Sequence, residues 1–223
     1  IELYLAGLGT VGNELLNVLN RDNNSNLKLM GIANSRKMVI SDNLLYDVCK
    51  ERLKTSTCDY NLEKFLDSST TLNHKIFIDC TASAELSDRY SYILNKGFSI
   101  VSANKIANSS SMDNYRRIHD IAKRNDSQFY YEANVGAGLP VISTLKTLLN
   151  SGDEIITIQG VLSGTLSYLF NTITPESPFS QLVKQARDQG FTEPDPRDDL
   201  NGKDVARKLL ILARETGCEL ELE

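Results

Sequence analysis

Six residues, Gly7-Leu8-Gly9-Thr10-Val11-Gly12, stand between an apolar run at 1–6 and a stretch at 13–19 with Leu15, Leu16 and Leu19 at helical spacing. Few folds admit a strand, a glycine turn and a helix in that order. Gly7 permits a tight turn, Gly9 leaves backbone open to a ligand, and Gly12 lets the helix pack closely. A polar turn at 20–26 leads to a second expected strand at 27–33. The segment reads as the opening of a right-handed βαβ unit.

The alternation continues. Helices are expected at 42–53, 61–66, 85–95 and 112–124, and strands at 75–80, 98–102 and 128–133. Near-continuous apolar strands between amphipathic helices predict a parallel sheet covered on both faces, an α/β fold of Rossmann type. The rhythm changes after Asn134, where Gly136, Gly138 and Pro140 punctuate a loop. Beyond it the pattern predicts helices at 141–149, 165–173, 179–189 and about 203–216, and a strand at 154–162. Ser177 is the expected cap of the third of these helices, Gly217 the stop of the last. A nucleotide-binding domain at 1–134 and a second, α+β domain at 135–223 are expected.

In this setting GxGxxG points to a dinucleotide, with its pyrophosphate against the free N–H groups where Thr10 and Val11 begin the helix. A ligand-free glycine turn is the alternative. A P-loop is disfavoured, since no GKS or GKT follows. NAD-specific sites place an acid at the end of the second strand. Here that strand ends Ala33-Asn34-Ser35-Arg36, with no acid. Arg36 could meet a 2′-phosphate and Ser35 could donate to it, with Asn34 beside them at the cofactor, which favours NADP or dual use over NAD alone, unless Arg36 is a solvated loop charge. Thr81, Ala82 and Ser83, and Ala103, Asn104 and Lys105, follow later strands. Their small side chains would admit a nicotinamide ring, and Lys105 would bring positive charge to the mouth of the cleft.

Charge excludes other classes. The chain carries 24 Lys plus Arg against 29 Asp plus Glu, a net charge of -5, without a basic stripe. Nucleic-acid binding is not expected. No window approaches about 18 consecutive apolar residues, so no membrane span is expected. Cys49, Cys58, Cys80 and Cys218 form no CxxC pair, and His74 and His119 lie apart from them. Structural zinc is not expected, and unpaired thiols fit a reducing, cytoplasmic setting. The first residue is Ile1, and the chain is expected to be cut from a longer protein.

The densest chemistry lies at 191–208, where Glu193, Asp195, Asp198 and Asp199 crowd a loop stiffened by Pro194 and Pro196. On the last helix Asp204 and Lys208 share a face with Ile211 and Glu215. Val205, Ala206, Leu209, Leu212 and Ala213 form the expected packing stripe. An isolated i,i+4 ion pair is worth only about 0.2–0.5 kcal/mol. Crowded carboxylates repel unless they meet cations, whether Arg197, Arg207 and Lys208 or the ammonium group of an amino-acid substrate. The loop at 134–139 offers closely spaced carbonyls that, with Glu132, could hold a monovalent cation. A hinge turn is the alternative.

GLGTVG at 7–12, ANSRKM at 33–38, SANKIANSSSMDNY at 102–115, NVGAGLPVI at 134–142, GVLSGTLSYLF at 160–170 and GFTEPDPRDDLNGKDVARKLLILARETG at 190–217 together carry a resemblance. The chain closely resembles the homoserine dehydrogenases, most of all the module found in bifunctional aspartokinase–homoserine dehydrogenases. Ser163 before Gly164-Thr165 matches the bifunctional forms. The resemblance covers essentially the whole chain. It implies reversible NAD(P)H-dependent reduction of aspartate 4-semialdehyde to homoserine, in threonine and methionine biosynthesis. It implies roles for Lys208 and Lys105 in proton transfer and substrate polarisation. It assigns Glu193, Asp199 and Asp204 to the substrate. It assigns Glu132, Val135, Ala137 and Leu139 to a cation such as sodium, chiefly through backbone oxygens. It further implies a homo-oligomer built on a substrate-domain sheet, and fusion to an aspartokinase domain. Family modules continue past the last helix, so this chain alone is expected to bind cofactor poorly or to lack activity. A cofactor-sensing regulatory domain and an aspartate dehydrogenase are the competing readings.

Overall fold

The structure, a computed structural model, describes residues 1–22, 26–70, 74–192 and 195–222. The chain divides into two compact units, Ile1–Asn134 and Val135–Glu223.

In the first unit β1 (Glu2–Ala6) enters the glycine turn, α1 (Thr10–Asp22) follows, and β2 (Lys28–Ala33) returns parallel to β1. β3 (Met38–Ile40) folds back antiparallel on β2. After α2 (Cys49–Thr55) and α3 (Leu62–Asp67), β4 (Lys75–Asp79) pairs in parallel with the other side of β1. The unit is completed by α4 (Ala84–Asp88), α5 (Tyr90–Asn95), β5 (Ser99–Ser102), α6 (Met112–Arg124) and β6 (Phe129–Tyr130). The strand order is β3-β2-β1-β4-β5-β6. The chain therefore leaves β1 first to one side and later to the other. Ligands of open α/β sheets bind at such a switch point, beyond the carboxyl ends of the strands.

Alternating side chains of β1 feed two cores. Leu3 and Leu5 pack with Leu16 of α1, Leu29, Ile32, Leu44 and Leu53. Tyr4 points the other way and meets Phe65 and Phe98 edge-on, with ring centroids 5.4 and 5.3 Å away. Phe65 continues the cluster to Phe77 at 6.3 Å. Edge-to-face pairs add about 0.5–1.5 kcal/mol beyond the area they bury.

The second unit holds α7 (Val141–Asn150), α8 (Gly164–Thr172), α9 (Phe179–Asp188), α10 (Pro196–Leu200) and α11 (Lys203–Glu215). Leu169 of α8 packs on Leu182 and Ala186 of α9. Ser163 caps α8 by accepting from the Leu166 amide at 3.1 Å. Asp195 caps α10, with Pro196 in the first turn. Among the described residues, no helix of the chain is long and apolar enough to cross a membrane.

Several elements differ from expectation, each for a tertiary reason. The sheet is mixed rather than parallel, because the short run 38–40 is drawn back along β2. The helix expected at 42–53 begins only at Cys49, after a 3-10 turn at Tyr46–Val48. The Ser41 and Leu44 amides donate instead to Met30 and Leu29 of β2. The helix expected at 85–95 breaks at Arg89 into α4 and α5, where Tyr90 turns inward to Asp79. The strand expected at 128–133 shrinks to Phe129–Tyr130, followed by a 3-10 turn at Glu132–Asn134. α10 interrupts the expected plain loop at 191–201, and Pro178, not Ser177, precedes α9.

In the second unit the expected strand at 154–162 does not form: the segment carries no regular structure, and the elements among the unit's described residues are helices. A strand is defined by its neighbour. Here Ile156 and Val161 stay 92% and 76% exposed.

Phe65 is fully buried at the centre of the aromatic cluster. Phe65→Ala is expected to cost about 3–5 kcal/mol in urea unfolding. A loss below about 1 kcal/mol would show that the sheet face collapses around the gap.

Candidate functional site

The glycine turn is held from three sides. Gly7 lies at φ +93°, and its amide donates to the Ala33 carbonyl at 2.8 Å, which ties the turn to the end of β2. A Cβ on Gly12 would stand 1.9 Å from the Gly7 carbonyl oxygen, so α1 begins in direct contact with the turn. The Asn13 side chain donates to the carbonyls of Leu8 at 2.7 Å and Gly9 at 2.9 Å. Those bonds draw the turn's acceptors back toward the helix. A Cβ on Gly9 would meet nothing within 4 Å. Thr10 and Val11 are exposed, and the first turn of α1 carries no acid. The positive end of the helix dipole is thus left uncancelled, as an anion requires.

At the end of β2 the Asn34 side chain accepts from the Arg36 and Lys37 amides, both at 2.8 Å. This local turn leaves Asn34, Ser35 and Arg36 exposed. It is anchored from outside: the Tyr60 amide donates to the Arg36 carbonyl at 2.8 Å, and Lys37 pairs with Asp59 at 2.8 Å. Lys37 is therefore engaged, whereas no ion pair holds the Arg36 guanidinium among the described residues.

Between these two turns and the Thr81–Ser83 turn lies a cleft of about 650 Å³, within the range of small-ligand pockets. Gly7, Asn34, Ser35, Thr81, Ala82 and Ser83 line it, as the residue types suggested. The opposite wall was not anticipated: Tyr60, Glu63 and Arg89. Arg89 holds Glu63 at 2.5 Å and lies 4.8 Å from the Tyr92 ring centroid. The Tyr60 hydroxyl is buried without a hydrogen-bond partner among the described residues, and burial pushes its pKa up to about 12. Asn61 caps α3, which fixes where that helix starts but not that it settles beside the cleft.

Cys80 follows β4 at the floor. Burial raises its thiol to about 11, too high for a nucleophile at neutral pH. Across the next strand Ala103 is half-buried and Asn104 only 3% exposed. The Asn104 side chain donates to the Ser83 carbonyl at 2.9 Å and to Asp79 at 3.2 Å. Its contact with any ligand is left to the backbone. Lys105 is half-buried, and its carbonyl accepts from the Ser109 amide and hydroxyl.

In the second unit α11 buries more than the expected stripe. Leu212 of that stripe is 2% exposed while Leu209 is 52% exposed, and outside the stripe Ile211 is fully buried and the Glu215 side chain is 5% exposed. The face that carries Asp204 and Lys208 thus also turns partly inward. Lys208 Nζ lies 2.6 Å from Asp204 Oδ2 and donates to the Leu162 carbonyl at 2.7 Å. With the lysine side chain 18% exposed, this is more than a solvated surface pair. Asp199 Oδ1 lies 2.8 Å from Thr165 Oγ1, which is also 2.6 Å from the Phe191 carbonyl. The single hydroxyl proton serves one acceptor at a time. Asp195 is occupied by Arg197, whose hydrogen bonds pull its carboxyl down to about 2. Glu193 lies outside the described residues.

The segment proposed for a cation has unusual backbone. Gly136 and Ala137 lie at φ +83° and +53°, and the Leu139 carbonyl accepts from the Val141 amide at 2.9 Å. Val135 is buried, Leu139 is exposed, and Glu132 opens the 3-10 turn that ends the first unit. Among the described residues, no three His, Cys, Asp or Glu side chains cluster as metal ligands.

The family described as "Homoserine dehydrogenase, NAD binding domain" matches residues 7–132, and "Homoserine dehydrogenase" matches residues 140–223. A bifunctional aspartokinase/homoserine dehydrogenase 2, chloroplastic, of Arabidopsis thaliana is 42% identical over 100% of this chain and 25% of its own length. The Escherichia coli bifunctional aspartokinase/homoserine dehydrogenase 2 is 40% identical over 99% of this chain and 28% of its own. The chain thus spans about a quarter of the length of the curated relatives it matches. Among solved structures, a homoserine dehydrogenase from Thermoplasma acidophilum superposes with a TM-score of 0.75 at 27% identity, covering 99% of this chain and 70% of that one. Both halves of one family thus fall on the two compact units in order, and the chain belongs to the homoserine dehydrogenases.

Proposed function

We propose that this chain carries the NAD(P)H-dependent, reversible reduction of L-aspartate 4-semialdehyde to L-homoserine, within a longer protein that also holds an aspartokinase domain. The observation that carries this reading is the match of both units to one dehydrogenase family. The Lys208–Asp204 pair on the inward face of α11 supports it further, since a purely cofactor-sensing domain has no use for that pair.

Gly7, Gly9, Thr10, Val11 and Gly12 fit a pyrophosphate, because the backbone is open at Gly9 and no acid stands in the first turn of α1. Ser35 and Arg36 favour NADPH, since the chain carries no acid at 33–38 where β2 ends. Thr81, Ala82, Ser83, Ala103, Asn104 and Lys105 flank the nicotinamide end. When bound, the cofactor supplies the hydride. Lys208 stabilises the developing oxyanion and gives it a proton, and Lys105 adds a second ammonium group to the same reaction. Asp204 and the Leu162 carbonyl hold the Lys208 ammonium in place. Glu193 and Asp199 receive the substrate ammonium, with Thr165 orienting Asp199. The same reading includes a homo-oligomer and a reducing, cytoplasmic setting, in keeping with four free cysteines. It also includes a monovalent cation such as sodium at Glu132, Val135, Ala137 and Leu139, through which no step is routed.

The test is NADPH oxidation by the intact protein with aspartate semialdehyde, against oxaloacetate plus ammonia. Turnover of the second pair alone would replace the reading with an aspartate dehydrogenase. Lys208→Ala is expected to lower kcat at least about a hundredfold while NADPH affinity stays within about twofold. Near-normal kcat would remove Lys208 from the mechanism. Arg36→Ala is expected to raise the KM for NADPH about tenfold and leave that for NADH within about twofold. An equal change for both cofactors would show that Arg36 does not read the 2′-phosphate.

A further inference from the structure

We propose that Asp79 is a positioning residue for the nicotinamide side of the cleft, setting the turns at 80–83 and 103–105 through a buried lattice with Tyr90, Ser102 and Asn104. The inference rests on the reading of the chain as a nicotinamide-dependent dehydrogenase. Its test is read on binding as well as on turnover.

Asp79 ends β4 and stands in register with Ser102, which ends β5. It is fully buried. Its Oδ1 accepts from the Thr81 amide at 2.7 Å. Its Oδ2 accepts from the Tyr90 hydroxyl at 2.6 Å and from Asn104 Nδ2 at 3.2 Å. The Tyr90 oxygen also lies 2.6 Å from Ser102 Oγ. Because the tyrosine proton goes to the carboxylate, Ser102 is the donor in that pair. Ser102 Oγ in turn accepts from the Asn104 amide at 3.0 Å. The other Nδ2 hydrogen of Asn104 reaches the Ser83 carbonyl at 2.9 Å, and its Oδ1 accepts from the Ile106 amide at 3.1 Å. One carboxylate therefore holds both turns. It grips the first at Thr81 and, through Asn104, at Ser83. It grips the second at Asn104, immediately before Lys105.

Stability alone does not explain an acid here. Burial raises the Asp79 pKa above its ordinary value even though Tyr90, Thr81 and Asn104 all donate to it. A well-packed apolar side chain in place of a buried ionisable group is often neutral or stabilising. What the acid supplies is an acceptor for three donors on three separate segments, a geometry no apolar residue reproduces. Asparagine has the same shape but the wrong polarity. Whichever way its amide lies, the NH2 meets donors, either Asn104 Nδ2 and the Tyr90 hydroxyl or the Thr81 amide, so one of the two turns loses its hold.

The experiment uses the intact protein with two probes: NADPH, and adenosine 2′,5′-bisphosphate, which lacks the nicotinamide half. Asp79→Asn and Tyr90→Phe are expected to weaken NADPH about tenfold while bisphosphate affinity stays within about twofold. They are also expected to lower kcat more than they change the KM for the semialdehyde. Tyr90→Phe keeps the ring and its edge contact with Phe129 at 5.6 Å, so it carries the test if Asp79→Asn does not fold. Equal weakening of both probes would reduce the lattice to general support of the fold, and unchanged NADPH affinity and kcat would remove its role; either result overturns the proposal. If the expected binding split appears but no protein, unsubstituted included, turns over the semialdehyde, the positioning role stands and the assigned substrate falls.

Discussion

The chain leaves β1 through a turn so tight that the Gly7 carbonyl oxygen touches the backbone of Gly12 one turn into α1. That contact sets where α1 starts and how it lies against the sheet. A right-twisted strand feeding a right-handed helix can return only on one side, so β2 takes its place beside β1. The other side of β1 is left for β4. The loops above the two neighbours of β1 then run in opposite directions, and a crevice opens between them. The residues that line it come from four separate stretches of chain, brought together by this one geometric decision.

How much of this is legible depends on the range of the forces involved. The glycine turn and the caps at Asn61, Ser83, Ser111 and Ser163 are local, and helix starts follow them to within a residue or so. What escapes is decided by distant neighbours. Residues 42–45 lack a helix because β2 takes the Ser41 and Leu44 amides on this stretch. Residues 154–162 have the alternation of a strand without the partner that would make them one. On α11 periodicity finds an amphipathic helix and the buried Leu212 but draws the inward face too narrowly, since Lys208 and Glu215 can be buried once partnered. At the cleft, the residues after each strand are readable because the fold places them there. Tyr60, Glu63 and Arg89 are not, because their approach depends on how α3 and α4 settle over the sheet.

Electrostatically, the two units solve different problems. In the cleft of the first, Glu63 is neutralised by Arg89, and the α1 terminus carries no acid. Acidity is confined beneath the surface, in a carboxylate surrounded by donors. The second unit instead gathers charge on an inward helix face, where an ammonium group is held between a carboxylate and a carbonyl. A polyanionic ligand suits the first arrangement, and a small zwitterion the second.

The pairing of β1 with β4 also has a consequence for synthesis. Glu2 lies beside Lys75, so the central strand of the sheet finds one of its two neighbours only after more than seventy further residues have been made. At ribosomal rates of about 5–20 residues per second, that is roughly 4–15 s during which a strand later buried along its whole length has one flank open. β2 arrives early and covers the other flank. In the nascent chain the first βαβ unit must therefore persist as a half-sheet, a window in which a chaperone or a neighbouring nascent chain meets the hydrogen-bonding edge later reserved for β4.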